Sequence, residues 1–181
     1  MAGRFDSSAG AVIADALVRA RAEGTGRIGE EHLFAALLAN PDSRPLLGGL
    51  GGPEQVEAVW AEVREARRRG GLTAGEEHAL AGLGIDLDEV VARVEAQLGA
   101  GALDGSAAPA RRSRRASMSP EAVAMLNAAQ DQKTALGDRQ TGARHLLLGL
   151  LARPGLFADA LAARGVTLAR DMEAMDAGGG R

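Results

Sequence analysis

The sequence predicts an all-α protein written twice, and three observations carry that prediction. The apolar residues, 46% of a 181-residue chain, come almost wholly from Ala, Leu and Val, with three Phe, one Trp and no Tyr. Small and straight-chain residues lose little freedom in a helix, whereas the aromatic and β-branched residues that suit a pleated sheet are scarce. Residues 28–39, IGEEHLFAALLA, and residues 141–152, TGARHLLLGLLA, are identical at six positions at a single offset of 113. Ahead of each copy, apolar residues recur at helical spacing: Ala9, Val12, Ile13, Ala16 and Leu17, then Ala122, Met125, Leu126 and Ala129.

Each element follows from its own residues. The first helix of each copy runs about four turns. Asp6-Ser7-Ser8 opens one, and Ser119 before Pro120 opens the other, since Ser caps and Pro suits a first turn. Gly24 and Gly137 end them, because the left-handed residue that closes a helix is best supplied by glycine. Gly29 and Gly142 precede the short quoted helices, which are apolar nearly all round (Leu33, Phe34, Leu37, Leu38; Leu146, Leu147, Leu150, Leu151). Such a helix is buried on more than one face, so it is the core of its repeat. Pro41 and Pro154 break both.

After Pro154, LFADALAARGVTLARDMEAM reads as a short helix, a glycine turn at Gly165-Val166 and a further helix. After Pro41 the outline is the same, with Gly51-Gly52-Pro53 at the turn. A third version at 77–95 aligns Ala79-Leu80-Ala81 and Gly84 with Ala160-Leu161-Ala162 and Gly165. The expected organisation is a first repeat at 1–69, an additional helical pair at 70–99, a flexible basic linker at 100–117 and a second repeat at 118–181.

Charge and composition narrow the function. A net charge of −3 does not suit a whole-surface nucleic-acid binder, although Arg111, Arg112, Arg114 and Arg115 make the linker locally basic. That run lacks interleaved aromatic residues for base stacking, so a solvated tether is its ordinary reading, and RRAS has the shape of a basophilic kinase site at Ser117. The absence of cysteine removes disulfides and thiolate metal ligands. The opening residues have no signal-peptide core, and no apolar run approaches the roughly 20 residues that cross a bilayer, so a cytoplasmic protein without a membrane partner is expected. His32, His78 and His145 lack metal-ligand spacing and read as structural histidines near helix starts. No nucleophile–base pair and no G-x-x-x-x-G-K-[ST] phosphate loop occurs, so neither an enzyme nor a resident cofactor is expected.

A long helix, a glycine, then Gly-x-Glu31-His32-Leu33 in one copy and Gly142-x-x-His145-Leu146-Leu147-Leu148-Gly149-Leu150 in the other, with Arg4-Phe5 and Gly165-Val166, resembles the Clp amino-terminal domain. That domain fronts the AAA+ unfoldases that feed the Clp protease, and here it would stand without ATPase modules. The resemblance implies two pseudo-symmetric four-helix repeats and a non-enzymatic module that holds substrate proteins, peptides, adaptors or a Clp ATPase. In some members the helix-start acid of each repeat, with an early Thr, recognises phosphorylated arginine, which places candidate ligand contacts here at Arg4, Phe5, Asp6, Glu31, Met118, Ser119 and Arg144. This sequence departs from the pattern: the early Thr is Asp6 or Ser119, and the second acid is Arg144. Asp6 would repel phosphate, and Arg144 suits an anion, so two equivalent phosphoarginine pockets are not expected, and any surviving site would be an altered one in the first repeat. Glu31 also has an ordinary reading as a first-turn acid beside the helix dipole. Two alternatives stay open: a protein that sequesters peptide-like compounds aimed at the unfoldase, and a nucleic-acid-associated regulator using the arginine run.

Overall fold

The computed structural model describes residues 4–99 and 117–169. It is all-α: the described residues form eight α-helices and two strands of two residues each. The basic linker at 100–117 lies outside them except for Ser117, as does most of the helix expected after Gly165. No single helix among the described residues is long and apolar enough to cross a membrane.

The two compact units do not follow chain order. One holds α1 (Ser7–Ala22), β1 (Arg27–Ile28), α2 (Glu30–Ala39), β2 (Ser117–Met118), α6 (Pro120–Ala135) and α7 (Ala143–Leu151). The other holds α3 (Pro53–Arg68), α4 (Ala74–Gly82), α5 (Leu87–Leu98) and α8 (Leu156–Ala162).

In the first unit the repeat is visible residue by residue. Helices α1 and α6 have the same bounds at the offset of 113. Asp6 caps α1 by accepting the Ala9 N–H at 2.9 Å, and Ser119 caps α6 by accepting the Ala122 N–H at 3.1 Å. Both helices end on a positive-φ glycine, Gly24 at 75° and Gly137 at 72°. The following amides reach back to the Ala20 and Lys133 carbonyls at 3.1 Å, the six-to-one bond of a Schellman turn.

Helix α1 packs on α2 and α6 on α7, and both core helices are buried as their composition requires. Seven of the nine residues of α7 are buried, so it lies inside the unit. At the α6–α7 crossing a Cβ on Gly149 would stand 2.6 Å from the Ala129 backbone nitrogen and 2.7 Å from the Met125 carbonyl oxygen. Glycine is therefore required by backbone-to-backbone approach. The first copy places Ala36 and Ala16 at the matching positions, both buried.

The copies are tied by parallel bridges that exchange partners. Phe5 pairs with Thr141, and Ile28 pairs with Met118. Phe5 and Met118 are equivalent positions, as are Ile28 and Thr141. Each repeat thus lends the residue before its first helix to the turn before the other's core helix, which is pseudo-twofold symmetry.

The second unit is built around α3. Trp60 meets Phe157 of α8 edge to face, with centroids 5.2 Å apart and planes at 84°. Arg164 donates to Glu62 at 2.8 Å. The additional pair α4–α5 is joined to the end of α3 through charge: Arg69 reaches Asp88 at 3.0 Å and Glu77 at 3.6 Å, and Arg68 reaches Glu95 at 3.3 Å. Of α5 only Val91 is buried, while Leu83 and Leu98 are 77% and 76% exposed. The short helix expected after Pro41 is a 3₁₀ turn, Leu46–Leu50, because Gly48 and Gly49 weaken α-helix where LFADALA in the second copy sustains it.

Candidate functional site

Both core helices open with the same device. The Gly29 N–H donates to His32 Nδ1 at 2.8 Å, and the Gly142 N–H donates to His145 Nδ1 at 2.9 Å. Nδ1 is thus the acceptor in each ring, so Nε2 carries the proton and donates to a carboxylate: Glu23 Oε2 at 2.8 Å for His32, Asp138 Oδ2 at 2.8 Å for His145. A histidine at this position does the work that Glu or Gln does in a capping box. Both rings are buried in the helix-start role their sequence context suggests. His78 differs. Although GEEH at 75–78 repeats the letters of 29–32, the cap there is Thr73 with Glu76 reaching back, and His78 is exposed one turn into α4.

Burial pushes the His145 imidazole below the ordinary histidine range; Asp138 acts against that push, and the Arg144 charge adds to it. Burial would raise the Asp138 carboxyl, but the hydrogen bond from His145 and the charge of Arg144 outweigh it and hold the group below the usual aspartate range. Neutral His145 and ionised Asp138 are therefore the matched native pair.

Two of the sequence-nominated residues are brought together across the repeats. Asp6, from the first copy, and Arg144, from the second, line one cleft of about 340 Å³ with Ser8, Asp42, Asp138 and Arg139. Asp6 N–H donates to the Thr141 carbonyl at 3.0 Å, and the Thr141 N–H donates to the Arg4 carbonyl at 2.9 Å, which fixes the approach. Ser8 donates to Asp6 Oδ1 at 2.7 Å and accepts the Ala143 N–H at 2.8 Å, so it bridges the starts of α1 and α7. A Cβ on Gly142 would lie 2.6 Å from Asp6 Oδ2. Arg144 is ion-paired with Asp138.

Glu31 stands elsewhere. It is half-buried, and its carboxylate is folded back over Gly29, where a Cβ would collide with it. Ser119 lies by the turn that precedes Glu31's helix, its N–H on the Ile28 carbonyl at 2.8 Å. Phe5 and Met118 are half-buried at the exchanged bridges, and Arg4 is exposed. The cleft adds Ser8, Asp42, Asp138 and Arg139 to the nominated set. Their only signal in the sequence was proximity to glycines and caps, because sites split across an offset of 113 cannot be paired by spacing. No group of three or more His, Asp or Glu among the described residues is arranged to hold a metal ion.

No family model and no curated protein matches the sequence. Among solved structures the fold is similar to a chain from a malarial protein secretion system, at a TM-score of 0.55 and 12% identity, covering 96% of this chain and 93% of that one. This likeness speaks to the fold alone.

Proposed function

We propose that this chain is a non-enzymatic binding module of the Clp amino-terminal type, which holds peptide or protein segments and so influences which substrates reach a Clp protease. The observation that supports it most is the exchange between the two copies: Phe5 and Met118 cross to the turns of the opposite repeat, and Asp6 and Arg144 come to line one charged cleft. A cleft of that kind offers directional polar contacts to an extended segment.

Affinity capture with the tagged protein, washed at low and then high salt and read by mass spectrometry, tests the reading. Recovery of a Clp ATPase or of its substrates, lost in the Asp6→Asn variant, is the expected result. Recovery of nucleic acid alone, removed by high salt, would overturn it and move the function to the arginine run, since backbone phosphate binding is steeply salt-dependent.

A further inference from the structure

Helices α4 and α5 carry apolar surface that no other described residue covers. Of the six large apolar side chains exposed among the described residues, four fall here: Leu83, Ile85, Val90 and Leu98, at 77%, 40%, 43% and 76%. On α5, Leu87, Val90, Val91, Val94 and Leu98 recur at helical spacing, the stripe of a helix that packs against a neighbour, yet only Val91 is buried. Ala81, Ile85 and Leu87 line one groove of about 630 Å³ together with Glu77, Asp86 and Asp88. The face is also acidic. Residues 74–98 hold Glu76, Glu77, Asp86, Asp88, Glu89 and Glu95 against one basic side chain, Arg93. Arg69 pairs with Glu77 and Asp88, and Arg68 with Glu95, from the end of α3, which still leaves more acid than base.

The geometry points to this face as the docking surface for a basic amphipathic helix of a partner protein, its apolar stripe seated on Ile85 and Leu87 and its lysines or arginines turned toward Glu77, Asp86 and Asp88. A helix laid into a groove supplies both the apolar stripe and the flanking charges that such a surface asks for. Charge selects this occupant over the others. A second copy would bring the same carboxylates face to face, and like charges brought together oppose association. Nucleic acid and anionic lipid are turned away for the same reason. The run Arg111–Arg115 of this chain has the right charge, but the apolar residues of 105–116 are only Ala and Pro, which offer little to cover Ile85 and Leu87. The face belongs to the second unit and does not depend on the cleft lined by Asp6 and Arg144.

The test is an NMR titration of the isotope-labelled full chain with a synthetic helical peptide of Leu and Lys, its Leu residues on one face. Two controls accompany it, a scrambled peptide of the same composition without a continuous face and a counterpart with Glu in place of Lys. The amphipathic Lys peptide should shift amides within 74–98, and the controls should not. Ile85→Ser, at an exposed position that leaves the fold intact, should weaken binding about fivefold or more. Asp86→Asn, which keeps a capping side chain for α5, should weaken it too, whereas Val18→Ser on the exposed face of α1 should not. Equal binding of either control, shifts centred outside 74–98, or no binding of the amphipathic Lys peptide overturns the proposal. Two further results would also overturn it by assigning another occupant. Concentration-dependent dimerisation without peptide, abolished by Ile85→Ser, would give the face to a second copy. Binding that appears only when Arg111, Arg112, Arg114 and Arg115 are replaced by Ser would give it to the chain's own arginine run.

Discussion

His145 couples the stability of this protein to pH. Its folded pKa lies below the ordinary value of about 6.5, so as pH falls through that value the unfolded chain takes up a proton that the native ring resists. The stabilisation is fully present above pH of about 6.5 and is lost progressively below it; loss of the Asp138 charge adds a second step below about pH 4. Denaturant midpoints should therefore fall between pH 7.5 and 5.5, and His145→Gln, which keeps an acceptor for the Gly142 N–H, should flatten that fall. An unchanged slope in the variant would remove His145 as its source. Thr141 allows a second test. Its side-chain oxygen is buried without a hydrogen-bond partner among the described residues, and the equivalent residue of the first copy is Ile28. Thr141→Val should raise stability by about 1 kcal/mol, read by chemical denaturation, because it removes an unsatisfied hydroxyl while keeping the shape.

At the scale of elements, the core helices are the places where sequence and packing agree most closely. Leu37→Ala or Leu150→Ala should each cost about 2–5 kcal/mol in unfolding experiments, since both side chains are buried in well-packed helices. Gly149→Ala should cost about 1–3 kcal/mol despite its smaller change in volume, because the added methyl meets backbone atoms that cannot rotate away. A neutral result there would mean that α6 and α7 separate without loss. The starts of α1 and α6, the glycines that close them and the prolines after the core helices were legible beforehand, because each depends on residues within one or two turns of chain. The tight α6–α7 crossing was not, since a glycine inside an apolar helix carries no local sign of the neighbour it admits.

The whole molecule divides its stability unevenly. The unit built from α1, α2, α6 and α7 owns most of the fully buried large side chains, whereas α4 buries none among its described residues and α5 only Val91. Hydrogen exchange should therefore be fast across α4 and α5 and slowest in α2 and α7, as expected where opening exposes little apolar surface. Slow exchange throughout α4–α5 would show that its ion pairs with Arg68 and Arg69 contribute far more than exposed pairs usually do.

The sequence by itself determined the all-α class, the duplication and its offset, the caps, and the two buried core helices, because helix periodicity and terminal chemistry are local. Only the tertiary structure decided which residues share a site. Asp6 and Arg144 are 138 positions apart and belong to different copies, and they line one cleft because Phe5 pairs with Thr141 across the pseudo-twofold. Pairing between repeats is a property of packed surfaces, and no periodicity along one chain encodes which copy's turn will receive which copy's strand.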